Sequence, residues 1–263
     1  MALSPQQLLA HLDANTYWPQ PFGASLQEAY EHQLAVRELR IARGEKPRGF
    51  KIGFTNRTIW ERYGVYAPIW GTVYDTTLRF CEGSGELAIG TCSEPRIEPE
   101  CVFGIARTPP ARAGLDELFD CIEWLAPGFE VVQSHMPGWK FVAADTAADG
   151  ALHGRLLVGP RKPVREVAAT ATLLEAQLAR AHVELVHDGE VKDRGAGANV
   201  LDGPLHALLH FLQALRDCPG APDLLPGDVV TTGTWTDAWP VKPGERWQAR
   251  YDAPLANLEV TFR

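Results

Sequence analysis

Cysteine is scarce in this chain and follows no pattern. Cys81, Cys92, Cys101, Cys121 and Cys218 are odd in number and form no CxxC pair. That argues against a disulfide framework or a zinc knuckle and suits a reducing compartment. Basic residues are also in deficit, with 25 Lys and Arg against 33 Asp and Glu, a formal net charge of -8. A chain without a basic excess is not expected to bind nucleic acid or an anionic membrane surface. No stretch approaches the roughly 20 consecutive apolar residues of a membrane span. Met1-Ala2-Leu3-Ser4-Pro5-Gln6 lacks a basic start followed by an apolar run, so no targeting segment is expected and the cytoplasm is the expected location. Several catalytic signatures are missing as well. There is no Gly-x-Ser-x-Gly elbow. Gly195-Ala196-Gly197 lacks the third glycine and the βαβ frame of a dinucleotide loop. His206 and His210 are spaced i,i+4 but lack the glutamate of HExxH, and read as one face of a helix.

What is present is an ordinary globular composition, 263 residues with 45% apolar and 22% charged. The first 45 residues read as helical. Ser4-Pro5 offers a cap and a first-turn proline, and Ser25-Leu26-Gln27-Glu28 has capping-box spacing ahead of a helix to about Ala42. From Phe50 the pattern becomes strand-like: Phe50 to Phe54, Ile97 to Ile105, Phe129 to Gln133, Leu156 to Val158, and a hairpin about Asp188-Gly189. Val229 to Thr232, Arg246 to Tyr251 and Leu258 to Phe262 complete the strands. Helices are expected over Leu115 to Leu125, Val164 to Arg180 and Pro204 to Arg216. The fold class is α+β, with residues 1–75 a helical region carrying the first strand and 76–263 a β-rich catalytic core.

Three acids stand out. Glu98 and Glu100 lie two apart in Pro95-Arg96-Ile97-Glu98-Pro99-Glu100-Cys101, so an extended chain turns them to one face. Taken alone they fit an exposed edge strand, which Pro99 favours. Glu130, between Phe129 and Val131, shifts the balance, because a carboxylate in an apolar strand needs compensation. A hard divalent ion supplies it, and an all-carboxylate set selects Mg²⁺ or Mn²⁺ over zinc. Lys51, flanked by Phe50 and Ile52, either reaches solvent or serves as an ammonium beside that ion. Asp75 either caps a turn or acts as an acid or base. His135 and His153 line a pocket or sit on loops.

These residues resemble the 2-keto-4-pentenoate hydratase and 2-oxo-3-hexenedioate decarboxylase family of the fumarylacetoacetate hydrolase superfamily. The resemblance is carried in order by Lys51-Ile52-Gly53-Phe54-Thr55, Tyr63-Gly64-Val65, Pro68-Ile69-Trp70-Gly71 ahead of Asp75, and Pro95-Arg96-Ile97-Glu98-Pro99-Glu100. Phe129-Glu130, Trp139-Lys140, Asp145 to Asp149, Gly195 to Leu201 and Pro226 to Val230 follow. It implies a mixed β-roll core with peripheral helices and an N-terminal helical region. It also implies Glu98, Glu100 and Glu130 as ligands of Mg²⁺ or Mn²⁺, catalytic Lys51 and Asp75, substrate contacts from Lys140 and Thr234, and a homo-oligomer. The implied activity is a hydratase converting a 2-hydroxy-2,4-dienoate to a 4-hydroxy-2-oxo acid in aromatic-compound breakdown. Decarboxylation of a 2-oxo-enedioate, C–C hydrolysis of an acylpyruvate, and a non-catalytic scaffold are the alternatives. Two departures fall where substrate contacts are expected: Thr232-Gly233-Thr234 replaces the hydratases' Ser-Gly-Ala, and Ala148-Asp149-Gly150 ends in glycine where the family has asparagine.

Overall fold

The computed structural model describes residues 2–57, 60–63 and 66–263. Gly64 and Val65 of the tract quoted above lie outside the described residues, as does the Tyr63 side chain. Two capped helices, α1 (Pro5–Ala14) and α2 (Leu26–Ala42), open the chain. Both carry the reciprocal Ser-to-N3 capping box that their sequences announce, closed by Gln7 and Glu28. Strand β1 (Pro47–Gly53) follows, then the short α3 (Trp60–Tyr63), β2 (Ile69–Tyr74), β3 (Leu78–Phe80), β4 (Ser84–Leu87) and β5 (Arg96–Ile105). Next come α4 (Leu115–Phe119), β6 (Ile122–Val132), α5 (Ala143–Ala148), β7 (His153–Val158), β8 (Lys162–Pro163), α6 (Val164–Val167) and α7 (Ala171–Arg180). The hairpin β9 (His182–His187) and β10 (Glu190–Ala196) leads to α8 (Pro204–Asp217) and to β11 (Val229–Thr234). Strands β12 (Trp239–Pro240), β13 (Arg246–Tyr251) and β14 (Leu258–Phe262) close the fold.

The strands form two sheets. One runs β2-β1-β11-β5-β6-β7-β3, with β12 added on β5 and β8 on β6; the other runs β10-β9-β13-β14-β4. Parallel and antiparallel pairs mix in both. The main core contains Ile97, Phe103 and Phe129 of the first sheet with Leu185, Ala249 and Val260 of the second, covered by α7 and α8 residues such as Leu174 and Phe211. This is the α+β architecture expected from the sequence. No described helix is long and apolar enough to cross a membrane.

Two helical expectations are corrected. The segment Leu115–Leu125 is helical only to Phe119, and Ile122 begins the long strand β6. The apolar spacing there belongs to both elements, and pairing with β5 along the length of β6 wins over local helix periodicity. The expected helix Val164–Arg180 is two helices. Ala168 turns extended, and the Thr170 side chain caps a new start by accepting from Leu173 N–H.

Candidate active site

Alternation along three neighbouring strands builds the site. On β5, Ile97, Cys101 and Phe103 enter the main core, while Val102 joins Val73, Ala126, Leu156 and Val158 in an apolar cluster on the opposite face. Glu98 and Glu100 share the parity of Val102. On β6, Phe129 and Val131 point into the main core, which turns Glu130 to the same side as the other two. On β1, Phe50 and Ile52 do likewise and Lys51 turns with the acids. Register completes the convergence: Glu98 lies directly across from Glu130, and Thr234 from Glu100.

Ligand oxygens of Glu98, Glu100 and Glu130 all fall within 4.8 Å of one another. Glu100 and Glu130 are fully buried. Glu98 retains some exposure and, with Lys51, lines a cavity of about 260 Å³. Aromatic walls come from Phe54, Trp139 and Phe141, and Ile69, Arg96 and Thr234 also face it. The Arg96 guanidinium lies 4.2 Å above the Trp139 ring.

Glu100 and Glu130 are each held by one oxygen and keep the other free of hydrogen bonds. Glu100 Oε2 accepts the Gly233 N–H at 2.6 Å, while its Oε1 has no hydrogen-bond partner. A β-bulge between Thr231 and Thr234 of β11 presents that N–H. Gly233 sits there at φ +98, and a Cβ would fall 1.9 Å from Thr55 Oγ1, so only glycine fits. Glu130 Oε1 is bonded to His153 Nδ1 at 2.8 Å. Its Oε2 lies 3.3 Å from Lys51 Nζ as an ion pair, without a directed hydrogen bond. Lys51 donates instead to Ala151 O at 2.9 Å.

The electrostatics follow from this crowding. Burial, opposed by Lys51 and reinforced by Glu130, lifts Glu98 to about 7. Burial and the two neighbouring acids push Glu100 well above the ordinary range. Glu130 moves the other way: burial would raise it, but Lys51 and His153 together hold it below its usual value. Burial would depress Lys51, and the three glutamates outweigh it, so the ammonium form is favoured. Burial holds His153 below its usual value despite Glu130, which favours the neutral imidazole. Two buried, unpartnered carboxylate oxygens in an all-oxygen donor set fit a hard divalent cation.

A stability test follows. In the folded chain without metal, Glu98 and Glu100 hold protons more tightly than in the unfolded chain. That contribution is full below the ordinary carboxylate value of about 4.5 and is lost as pH rises through the folded value, about 7 for Glu98. Glu130, with its lowered value, contributes above the ordinary value and does not change in this window. The metal-free protein is expected to melt at a lower temperature at pH 8 than at pH 5.5, with Mg²⁺ closing the gap. Thermal melts with and without a chelator measure this.

Of the residues singled out in the sequence, the structure brings together Lys51, Glu98, Glu100, Glu130 and Thr234. It leaves out two. Asp75 does not stand beside Lys51. The register partner of Lys51 is Gly71, and Asp75 lies four residues farther, roughly 13 Å along an extended chain. There its Oδ1 accepts Lys46 N–H at 3.0 Å and its own N–H donates to Lys46 O, closing the far end of the β1–β2 pair. Lys140 is exposed, and its neighbours Trp139 and Phe141 line the cavity instead. Asp75→Asn and Lys140→Ala are each expected to leave kcat and metal affinity within about twofold, as for changes worth roughly half a kcal/mol. Steady-state kinetics and a metal titration check this.

Sequence reasoning gave no role to His153, Arg96 or Gly233. His153 was visible as a histidine heading an apolar strand, but its contact with Glu130 depends on an irregular register between β6 and β7. His135 is not part of the cluster and bonds through Nδ1 to Asp149 at 2.6 Å.

The fumarylacetoacetate (FAA) hydrolase C-terminal family model matches residues 78–262, and the chain belongs to this family. Among characterised relatives, the 2-keto-4-pentenoate hydratase of Burkholderia vietnamiensis is 29% identical over 242 residues, covering 91% of this chain and 87% of the relative. A 4-oxalocrotonate decarboxylase of a Pseudomonas species is 28% identical over 221 residues, covering 84% and 80%. The solved 4-oxalocrotonate decarboxylase of Pseudomonas putida G7, complexed with magnesium and adipate, superposes with a TM-score of 0.86. It is 25% identical and covers 98% of this chain and 95% of that one.

Proposed function

We propose that this protein is a divalent-metal-dependent lyase that hydrates a 2-hydroxy-2,4-dienoate, by way of its 2-oxo-enoate tautomer, to a 4-hydroxy-2-oxo acid. The observation that carries the reading is the glutamate trio with free buried oxygens, opening on a cavity whose wall bears a lysine. Glu98, Glu100 and Glu130 would hold Mg²⁺ or Mn²⁺. Bound there, the cation supplies an electron sink for the substrate's carboxylate and 2-oxo oxygen.

The chain's own groups do the rest. Lys51, an ammonium facing the cavity, is placed to deliver protons to the substrate carbons. In tautomerisation the enol loses its O–H proton and C5 gains one. In hydration, water's hydroxyl joins C4 and its remaining proton goes to C3. Trp139, Phe141 and Ile69 provide apolar walls that limit water to the reacting positions. Thr234 borders the cavity with its hydroxyl fixed on Thr236 O at 3.0 Å. The family resemblance supports a small 2-oxo acid as partner, in a cytoplasmic homo-oligomer, and the net charge of -8 fits a partner other than nucleic acid.

One observation favours a second reading, decarboxylation of a 2-oxo-enedioate. With Asp75 remote, the described ionisable side chains on the cavity wall are Lys51, Arg96, Glu98 and Asp237. Loss of CO₂ into the same enolate needs the electron sink but no activation of water, so a single lysine suffices. Incubating the Mg²⁺-supplemented protein with 2-hydroxypenta-2,4-dienoate and with 2-oxohex-3-enedioate separates the two. Loss of diene absorbance without CO₂ is the expected result. CO₂ release from the diacid, with the dienoate left intact, overturns hydration in favour of decarboxylation.

A further inference from the structure

We infer that His153, backed by Thr77, is a positioning residue that aims Glu130 at the cation and keeps the carboxylate from turning both of its oxygens onto Lys51. The inference rests on the metal reading above and adds to it a control on the site's affinity. The His153 side chain is 3% exposed, and both ring nitrogens are engaged. Nδ1 lies 2.8 Å from Glu130 Oε1 and Nε2 lies 2.9 Å from Thr77 Oγ1. An ionised carboxylate has no proton to give, so Nδ1 carries the hydrogen and donates it to Glu130. In the neutral ring Nε2 is then an acceptor, and the single Thr77 hydroxyl proton has two acceptors within reach, Nε2 at 2.9 Å and Tyr74 O at 3.1 Å, the ring nitrogen being the nearer.

Thr77 is itself anchored. Its Oγ1 accepts Tyr74 N–H at 3.1 Å, and its carbonyl accepts Leu156 N–H at 2.9 Å. The turn after β2 and strand β7 thus hold the ring from behind, and the ring holds one oxygen of Glu130. The other oxygen, which has no hydrogen-bond partner, lies 3.3 Å from Lys51 Nζ. Without the histidine's hydrogen bond, rotation of the Glu130 carboxylate would let both oxygens settle on the ammonium, and the ammonium would compete with the cation. A hydrogen bond from outside the coordination sphere that orients a metal-binding carboxylate typically affects affinity by about 10- to 100-fold.

The test compares Mn²⁺ binding to the metal-free protein and its variants, measured by the electron paramagnetic resonance of the free ion. His153→Leu fills the space but donates nothing. His153→Asn places an amide nitrogen close to the position of Nδ1. The expected result is a loss of about 10- to 100-fold in Mn²⁺ affinity for His153→Leu, largely restored in His153→Asn. Equal affinity of His153→Leu and wild type, or equal loss in both variants, overturns the inference. Should His153→Leu fail to fold, Thr77→Val and Thr77→Ser decide. The valine is expected to weaken Mn²⁺ binding and the serine to preserve it, and no difference between them overturns the proposal. If the wild-type protein binds no Mn²⁺, it is the metal reading that fails.

Discussion

Glu100→Gln is expected to cut Mn²⁺ affinity roughly a thousandfold, a loss of about 4 kcal/mol, and to carry activity down with it. Glu100 is fully buried, and its Oε2 is fixed by the Gly233 N–H. Its Oε1 has no hydrogen-bond partner and is the atom open to a cation in the three-carboxylate cluster. An amide keeps the shape but removes a full charge and introduces donors where ligands must accept. A second readout should move in the opposite direction. Burial and the two neighbouring acids already disfavour the charged form of Glu100, so the metal-free variant is expected to melt higher than metal-free wild type at pH 8. Adding Mg²⁺ should then stabilise wild type strongly and the variant hardly at all. A plain structural glutamate would show neither the crossover nor the selective loss of metal response.

Lys51→Met is expected to lower kcat by about 10²- to 10⁴-fold, the usual scale for a positioned proton donor, while metal affinity holds or increases. The two effects separate because the ammonium faces both ways. It borders the cavity, where substrate carbons must accept protons, and it lies 3.3 Å from Glu130 Oε2, where it competes with the cation. Methionine retains most of the apolar stem and removes the charge. Kinetics at saturating Mn²⁺ together with a direct Mn²⁺ titration resolve the two outcomes. Loss of metal binding in Lys51→Met would instead make the lysine part of the scaffold that assembles the glutamates.

The parts of this site legible in the sequence are those that strand parity alone determines. Glu98 and Glu100 two apart, and Glu130 between apolar neighbours, announce a shared face before any pairing is known. Lys51 between Phe50 and Ile52 does the same. What parity cannot supply is which strands lie side by side and in what register. The resemblance implies a place for Asp75 beside Lys51, yet antiparallel pairing of β1 with β2 sends it to the opposite end. Lys140 sits between two aromatics that face the cavity. In this loop the neighbours of the candidate, rather than the candidate itself, make the contact. His153 needed the irregular step between β6 and β7 to reach Glu130. The helices followed the same rule. Capping signals at Ser4 and Ser25 stated their starts correctly, whereas apolar spacing over Leu115–Leu125 could not say that its end, from Ile122 on, would be claimed by a strand.

The most direct test of the account is whether a two-carbon dicarboxylate analogue of the reacting 2-oxo acid binds only through the metal. Oxalate titrated calorimetrically into the protein stripped of divalent ions should give no heat above dilution, and into the Mn²⁺-loaded protein should bind one per chain. Oxalate binding of equal strength in the stripped protein would mean that Arg96, Lys51 or another cation of the chain is the anchor. The glutamates would then not be the seat of the chemistry.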